Sequence, residues 1–412
     1  MSQPRSLRIA VVSGFFSDGM GYSENCLPKA LAGIGHDVHV VASNYNVYGN
    51  EALYDQTYRE FLGPRQVSPG SKTIDGYQLH RLDADLFSGY VRMKGLVRKI
   101  AELSPDVVHS TEIASLQTFA LAAQRPFAKY KLFCETHQTM SSMKPYITQA
   151  NGGWLRKAAY RATRTVPTSL ASLAVEICYA VTPDCGEVAA RFYGVPRSKL
   201  KLLSLGTDTD VFHPAESASD QAARRELRAS LGFGDEDTVC VYTGRFSNAK
   251  NPLVLAKAID ALVDTELSFK GLFIGDGNQK SEIAACRNVV IVPFMPHSQL
   301  AKHYRAADIA VWPRQESLSM LDAASSGLPL VVSNKIGEPE RVSGNGRTYE
   351  EDSVVSLMEE LRLLKDPERR RVYGAAGRSK MVDRFSWSRF ARSVEADFVN
   401  ALPNNGREAR HT

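Results

Sequence analysis

Two basic residues that follow a predicted strand could bind a diphosphate. Gly244 and Arg245 stand at the end of the predicted strand at 237–246, and Lys250 follows five residues after Arg245. Glycine lets a ligand approach the backbone, arginine offers a planar pair of donors, and lysine offers a point charge. The alternative is that both side chains are only solvated, since basic residues at such positions often are.

A second candidate site lies at 313–331, where a strand, a polar turn, a helix of small residues and another strand follow one another. Glu316 stands in the turn and Asp322 in the helix, and their carboxylates can accept hydrogen bonds from sugar hydroxyls. Free amides at the helix start could face a phosphate. Those amides belong to Ser317, Leu318 and Ser319. Alternatively, Glu316 and Ser317 only cap the helix.

Glycine-rich turns follow two more predicted strands. After the first strand stand Gly14, Gly19 and Gly21, followed by Glu24, and the spacing differs from the dinucleotide-binding pattern G-x-G-x-x-G. Gly275 and Gly277 follow a later strand. Exposed amides in such turns can approach an anion, although glycine is also what any tight turn between strand and helix requires.

Two histidines end predicted strands in the first half of the chain. His137 lies in ETHQTMS and His109 in DVVHS. A histidine at a strand end can act on a bound ligand, or it can simply satisfy hydrogen bonds within the structure. An Asp-x-Asp pair, Asp208 and Asp210, has metal-binding spacing, but its place between the two halves of the chain favours a structural role.

These residues need sheets to position them, and the apolar pattern predicts two. Short runs that are apolar on both faces alternate with amphipathic stretches, as in a parallel doubly wound sheet. The first series has strands at 7–16, 36–43, 76–82, 106–110 and 131–137, with helices at 25–33, 91–103 and 115–124. The second series begins near 237 and ends near 333, with a helix near 219–231 before it. Ligands bind such sheets at the carboxyl ends of the strands.

The composition limits the class of protein. The 412 residues suit two domains, and 43% hydrophobic with 23% charged residues is ordinary for a globular protein. The formal net charge of +5 is too small to indicate nucleic acid as a partner. The six cysteines lack C-x-x-C spacing, so free buried thiols in a reducing compartment are expected. No secretory leader and no apolar run of ~18 residues is recognised, which predicts a cytoplasmic protein.

The positive charge is concentrated in one stretch. Residues 125–164 hold eight basic residues and one acidic residue. On a helical wheel, Trp154, Ala158 and Ala162 share one face, and the opposite face carries Arg161 and Arg164 with Arg156, Lys157 and Tyr160. One interpretation is a helix that packs on its own domain and leaves the basic face in water. The other is a helix at 153–164 that lies on an anionic membrane surface.

Taken in order, the motifs resemble those of the family-4 (group 1) glycosyltransferases of the GT-B class, over nearly the whole chain. The matching segments are GMGYSENCLPKALAGIGHDVHVV, YAVTPDCGEVAARFYGVPRSKLKLLSLGTDTDVFHP, YTGRFSNAKNP, GLFIGDG, YRAADIAVWP and SSGLPLVVS, followed by SGNGRTY and FSWSRF. The resemblance implies an α/β fold of two Rossmann-like, doubly wound domains that face each other across a cleft. The implied divisions are an acceptor-binding domain at 1–210, a nucleotide-sugar-binding domain at 211–384, a terminal helix at 385–402 that returns to the first domain, and a flexible tail at 403–412.

The resemblance also implies roles for single residues. Arg245 and Lys250 match the family's diphosphate-binding pair, and His137 matches a histidine beside the donor sugar. Asp322 matches the second acid of the family's E-x7-E motif, but Arg314 stands where the first acid should be. The nearest acid, Glu316, gives E-x5-D instead. The implied donor-binding residues are Gly19, Gly21, Gly244, Gly275, Gly277, Glu316, Ser317, Leu318, Ser319 and Asp322, and Glu24 and His109 are expected on the acceptor side.

The function implied is transfer of a hexose from a UDP- or GDP-sugar to a glycan or lipid-linked acceptor, with retention of configuration. The nucleotide sugar is a co-substrate, and no cofactor, metal or nucleic acid is expected. The enzyme is expected in the cytoplasm, peripheral at the inner face of the membrane. Two alternatives remain: a sugar-nucleotide epimerase of the same architecture, and a non-catalytic protein that binds nucleotide sugars.

Overall fold

The computed structural model describes residues 6–87, 90–140, 143, 154–263, 268–314 and 316–403, without the side chains of residues 155–157. The chain divides into two compact units. The N-terminal unit comprises the described residues up to Asp18, then Tyr22–Leu205, and the residues from Phe390 on. The C-terminal unit comprises Gly19–Gly21 and Gly206–Arg389. Among the described residues, no helix is long and apolar enough to cross a bilayer.

The N-terminal unit contains an eight-stranded sheet and a separate hairpin. The strands are β1 (Arg8–Ser13), β2 (Asp37–Ser43), β3 (Gly70–Ile74), β4 (Tyr77–Leu82), β5 (Ala84–Phe87), β6 (Tyr90–Met93), β7 (Val107–Ser110), β8 (Lys131–Thr136), β9 (Cys178–Ala180) and β10 (Leu200–Leu202). The sheet order is β10-β9-β8-β7-β1-β2-β4-β3, parallel except for the edge pair β3–β4, and β5 pairs with β6. The central strands are buried almost throughout, because helices cover both faces of a parallel sheet.

The helices of this unit connect the strands. They are α1 (Ser23–Gly33), α2 (Tyr54–Thr57), α3 (Arg59–Leu62), α4 (Leu96–Leu103), α5 (Leu116–Gln124), α6 (Trp154–Tyr160), α7 (Val166–Ala174) and α8 (Pro183–Tyr193), with a π-helical turn (Arg161–Thr165) between α6 and α7. The prediction of a helix over 91–103 was wrong for its first residues. These form strand β6, and Gly95, with a left-handed φ of 75°, separates that strand from α4.

The C-terminal unit is a six-stranded parallel sheet with helices. Its strands are β11 (Thr238–Thr243), β12 (Phe269–Ile274), β13 (Val289–Val292), β14 (Ile309–Trp312), β15 (Leu330–Ser333) and β16 (Gly346–Tyr349), in the order β13-β12-β11-β14-β15-β16. Its helices are α9 (Ala218–Ser230), α10 (Leu253–Leu262), α11 (Lys280–Ala284), α12 (Leu300–Ala306), α13 (Ser319–Ser325), α14 (Val354–Leu363) and α15 (Pro367–Arg384). The last helix, α16 (Trp387–Ala401), begins in this unit and belongs to the N-terminal unit from Phe390.

Each sheet has a point at which the strand order reverses. In the N-terminal unit this point lies between β1 and β7, and in the C-terminal unit between β11 and β14. Loops at the carboxyl ends of two such strands leave in opposite directions, which opens a crevice for a ligand. A ligand of either sheet is therefore expected beside the residues that follow β1, β7 and β8, or beside those that follow β11 and β14.

All six cysteines are free thiols. Five are buried, as the sequence predicted, and Cys286 is half-buried. Cys134 and Cys178 lie side by side on adjacent strands of the N-terminal sheet.

Candidate functional site

In the N-terminal unit, the strand ends bring five titratable side chains together, here called the carboxylate–histidine cluster: Glu24, His109, Glu112, Glu135 and His137. His109 lies in β7 and Glu112 follows it, while Glu135 lies in β8 and His137 follows that strand. Glu24 comes from the first turn of α1, which follows β1. The cluster thus lies at the carboxyl ends of the strands on both sides of the reversal.

The carboxylate of Glu135 is the centre of this cluster. It is fully buried, and its Oε1 lies 2.7 Å from Nε2 of His109 while its Oε2 lies 2.8 Å from Nε2 of His137. The hydroxyl of Ser23 donates to both oxygens at 2.8 Å. Burial opposes ionisation, but the hydrogen bonds from the two histidines outweigh it and lower the pKa of Glu135 to about 2.

The surrounding groups titrate differently. Burial raises the pKa of Glu24 to about 7 and also raises the pKa of Glu112. Burial tends to lower the pKa of His137, but its hydrogen bond to Glu135 and the charges of all three carboxylates raise it above the ordinary value. The cluster can therefore hold a proton near neutral pH, as sites that bind or move protons do.

In the C-terminal unit, the loop Arg245–Lys250 follows β11 and is here called the cationic turn. The ammonium of Lys250 is half-buried and donates to the backbone oxygen of Glu316 at 2.9 Å. Burial and the charge of Arg245 lower the pKa of Lys250 to about 8. Arg245 is exposed. Two like charges on one short loop after a central strand form a site that an anion would stabilise.

The predicted acids of this unit already have partners. The Oε1 of Glu316 accepts from the amides of Gly337 and Glu338 at 2.6 and 2.9 Å, and its Oε2 lies 3.1 Å from the guanidinium of Arg341. Glu316 thus ties the loop after β15 to the loop after β14. Its backbone oxygen, not its carboxylate, contacts Lys250.

Asp322 is nearly fully buried in α13, and both of its oxygens are engaged. The hydroxyl of Thr207 donates to Oδ1 at 2.6 Å, and Nε2 of His297 lies 2.8 Å from Oδ2. Sequence reasoning missed His297 and Thr207, because 25 and 115 residues separate them from Asp322. Ser317, Leu318 and Ser319 are half-buried in the turn before this helix.

Arg314, which stands where the family motif has an acid, forms a bidentate ion pair with Asp352. Its Nε lies 2.8 Å from Oδ1, and its NH1 donates to the backbone oxygen of Asn248 at 2.7 Å. Asp352 also accepts from the side chain of Asn251 at 2.8 Å. Arg314, the residue that departs from the family motif, therefore holds the cationic turn in place through the backbone of Asn248.

The glycines allow close contact between loops. Gly244, Gly275 and Gly277 have φ values of 139°, 151° and 151°. A Cβ on Gly275 would lie 2.0 Å from the backbone oxygen of Gly244, so the loops after β11 and β12 approach this closely only because residue 275 is glycine. Gly19 is left-handed at a φ of 70°, and Gly21 precedes Tyr22, the N-cap of α1.

Sequence reasoning also missed Glu135 and Glu112 as site residues. The sequence does contain a signal for Glu135. This residue stands two residues before His137, and residues two apart on a strand point to the same face of the sheet. Among the residues that the structure describes, no group of three or more His, Cys, Asp or Glu side chains is arranged to hold a metal ion.

Two family models match the chain, one on each half. Residues 26–211 match the family model for Glycosyltransferase Family 4, and residues 237–366 match the model for Glycosyl transferases group 1. The sulfoquinovosyl transferase SQD2 of Arabidopsis thaliana is 25% identical over 407 residues, which cover 94% of this chain and 72% of that protein.

A second relative is the GDP-mannose-dependent alpha-(1-6)-phosphatidylinositol monomannoside mannosyltransferase of Mycolicibacterium smegmatis. It is 29% identical over 243 residues, 52% of this chain and 59% of that protein. Among solved structures, HepE of Anabaena in complex with UDP-glucose has a TM-score of 0.65 at 14% identity, covering 96% of this chain and 100% of that one. The chain belongs to the family-4, group 1 glycosyltransferases and has their GT-B fold of two Rossmann-like domains.

Proposed function

We propose that this glycosyltransferase moves a hexose from a UDP- or GDP-sugar to a glycan or lipid-linked acceptor with retention of configuration. The observation that carries the proposal is the cationic turn, in which Arg245 and Lys250 place two basic side chains on one short loop after β11, as a diphosphate requires. The lowered pKa of Lys250 agrees with it, because burial and the repelling charge of Arg245 both disfavour the ammonium form in the absence of an anion. The relatives support the substrate classes: one is named GDP-mannose-dependent and acts on a phosphatidylinositol mannoside, and one solved neighbour is a UDP-glucose complex.

In the proposed reaction, the bond between the sugar C1 and the donor phosphate oxygen breaks, and a bond from C1 to the acceptor oxygen forms on the same face. The departing diphosphate takes the acceptor proton, so no separate base is needed. Arg245 and Lys250 stabilise the negative charge that develops on the leaving group, as fixed charges do in such sites. The charges of these two side chains make a metal unnecessary in this scheme.

The test is a screen of UDP- and GDP-sugars by thermal shift, followed by transfer assays with the donor that stabilises the protein. We expect Arg245→Ala and Lys250→Ala each to lower transfer at least tenfold, and the NMR signal of the anomeric proton to show retention. Undiminished transfer in both variants would contradict the donor site. Release of an epimerised sugar in the absence of acceptor would favour the epimerase instead.

We further propose that the enzyme works at the inner face of the membrane through α6 and the π-helical turn that follows it. The prediction that the apolar face packs on its own domain is wrong: Trp154 is 77% exposed, Ala158 and Ala162 are exposed, and Arg161 is exposed beside them. Tyr160 and Arg164 face the protein instead, since Tyr160 contacts Tyr193 and the Arg164 guanidinium lies 3.4 Å from the ring centroid of Tyr90. Residue 153 and the side chains of residues 155–157 lie outside the described part of the chain.

The exposed apolar stripe continues along α7. Val166, Leu170 and Leu173 are 51%, 63% and 66% exposed. An apolar stripe beside basic residues fits the interface of an anionic bilayer, with ~1 kcal/mol per basic residue near the surface. Vesicles with and without anionic lipid test this surface: Trp154→Ser with Leu170→Ser should reduce binding to anionic vesicles, and charge reversal at Arg161 should too. Equal binding by all variants would contradict it.

A further inference from the structure

The carboxylate of Glu135 fixes the positions of the three side chains that are hydrogen-bonded to it. Three side chains point at a carboxylate that has no exposure to solvent: His109, His137 and Ser23. Taking an ionised carboxylate out of water costs several kcal/mol unless it is paired and hydrogen-bonded. A neutral polar or apolar residue would fill this position at a lower cost in desolvation free energy. The charge of Glu135 therefore indicates a function beyond packing.

His109 is held in one orientation as a hydrogen-bond partner of Glu135. Its ring is fully buried between Tyr179, at 5.8 Å between ring centroids, and Phe398, at 5.9 Å. Its Nδ1 has no hydrogen-bond partner among the residues that the structure describes. A protonated Nδ1 would leave a buried N–H unpaired, whereas a neutral ring with its proton on Nε2 leaves only a lone pair. His109 therefore orients the carboxylate of Glu135 from within the core.

His137 is the partner that can reach a substrate. Its side chain is 34% exposed, whereas that of Glu135 is fully buried. Since Nε2 of His137 is committed to Glu135, Nδ1 is the ring nitrogen that remains for a ligand. The charged groups that face this ring are Glu135 from β8, Glu112 from the loop after β7, and Glu24 from α1.

We propose that Glu135 is a positioning residue of the transferase site, which holds the His137 ring with Nε2 turned inward and keeps it an imidazolium whose Nδ1–H donates to an oxygen of the sugar substrate. This inference rests on the proposed function. The depressed pKa of Glu135 and the raised pKa of His137 agree with it, and they follow from the same 2.8 Å contact. A carboxylate that orients a histidine and stabilises its charged form is a recurrent arrangement in enzymes.

The first experiment is an NMR titration of the imidazole of His137, whose signal is assigned from its absence in His137→Gln. In the wild type we expect a pKa above the ordinary value of 6.5. In Glu135→Gln, which keeps the shape and removes the charge, we expect the pKa of His137 to fall by about one unit or more. Glu176→Gln is the matched control: it removes a carboxylate paired with Lys131 at 3.0 Å, at the opposite end of β8, and should leave the titration unchanged.

The second experiment is the pH profile of kcat. We expect the rate of Glu135→Gln to match that of the wild type at low pH and to fall at a lower pH than the wild-type rate does, as His137 loses its proton. A merely structural role would lower the rate equally at every pH.

The outcomes separate this inference from the proposed function. A wild-type pKa of His137 at or below 6.5 overturns the inference, and this result stands even if Glu135→Gln does not fold. An unchanged pKa of His137 in Glu135→Gln, or parallel pH profiles, also overturns it. The titration needs neither donor nor acceptor, so a protein that shows the expected titration but transfers no sugar contradicts the proposed function alone.

Discussion

The charged form of Lys250 is disfavoured in the protein without a ligand. Burial and the neighbouring guanidinium of Arg245 both disfavour its ammonium form, and only Glu316 opposes them. An incoming diphosphate would reverse that balance by placing negative charge beside the ammonium. The same residue thus links nucleotide binding to proton uptake.

This linkage gives a prediction for calorimetry. With a pKa of about 8, Lys250 is about half protonated at pH 8 in the free protein, and ligand binding should complete its protonation. Binding of a UDP- or GDP-sugar, whose diphosphate is fully ionised at both pH values, should take up about half a proton at pH 8, seen as a binding enthalpy that differs between buffers of different ionisation enthalpy. At pH 6 Lys250 is already protonated, so the difference should vanish. Lys250→Arg stays charged at both pH values and should show no uptake. Identical enthalpies for the wild type at pH 8 would contradict the assignment.

Glu24 gives a second prediction at this scale. Its folded-state pKa of about 7 lies above the ordinary 4.5, so its neutral form is favoured in the folded protein. The stability that this provides is present below about pH 4.5 and is lost as the pH rises through 7. Glu24→Gln keeps the neutral shape, so it should unfold at a higher temperature than the wild type at pH 8 and at the same temperature at pH 4. The gain is at most ~3 kcal/mol, and a destabilised variant at pH 8 would contradict the prediction.

The residues of the site could be predicted only where they stand near a strand end in the sequence. Arg245, Lys250 and His137 are predicted in this way with the help of the family resemblance, and their roles stay predictions. Whether Glu316 and Asp322 contact a donor stays a prediction, since Arg341 and His297 occupy their oxygens in the structure. The sequence could not predict the contacts of Glu316 with Arg341 and of Asp322 with His297, because 25 residues separate the partners in each pair and no local pattern relates them.

At the scale of elements, the loops after β11 and β12 are coupled through their glycines. The amide of Phe246 donates to the oxygen of Asp276 at 2.8 Å, and the amide of Gln279 donates back to the oxygen of Phe246 at 3.0 Å. These bonds hold the cationic turn against its neighbour. They form only if the backbones approach more closely than any side chain would allow.

Gly275→Ala should therefore both destabilise the protein and weaken nucleotide binding. The added Cβ would meet the backbone oxygen of Gly244 at 2.0 Å, and the φ of 151° is one that alanine rarely adopts. Gly63→Ala is the matched control, since Gly63 has a φ of 78° and open space around its Cβ position. The control should lose ~1 to 3 kcal/mol from strain alone, and Gly275→Ala should lose clearly more in urea unfolding. Equal losses would show that the loops can separate without cost.

The elements themselves were largely predictable where apolar runs are long. The strands β1, β2, β7 and β8 lie within the predicted runs, since a strand that is buried on both faces must be apolar throughout. The hairpin β5–β6 is not predicted, because its four-residue strands contain no long apolar run. The predicted helix at 91–103 wrongly includes most of β6. Short edge elements depend on neighbours rather than on their own pattern.

At the scale of the whole molecule, α16 connects the end of the chain to the carboxylate–histidine cluster. Within the N-terminal unit, Asp397 accepts from the hydroxyl of Tyr179 at 2.9 Å and pairs with Lys201 at 2.6 Å. Phe398 packs on Phe133 in β8, at 4.7 Å between ring centroids, and against His109. Helix α16 thus supports β7 and β8, which hold His109 and Glu135 and lead to His137.

Phe398→Ala should accordingly destabilise the N-terminal unit by ~3 to 5 kcal/mol, the usual cost of removing a buried phenylalanine. Hydrogen exchange should show lost protection in β7 and β8 and unchanged protection in β11 and β14. Transfer should slow while UDP or GDP still binds, because the cationic turn lies in the other unit. Phe269→Ala, in the core of the C-terminal unit at 1% exposure, is the reciprocal control and should show the opposite pattern. Equal loss of protection in both units for either variant would mean that the two units unfold as one cooperative body, and α16 would then stabilise the whole chain rather than the histidine site in particular.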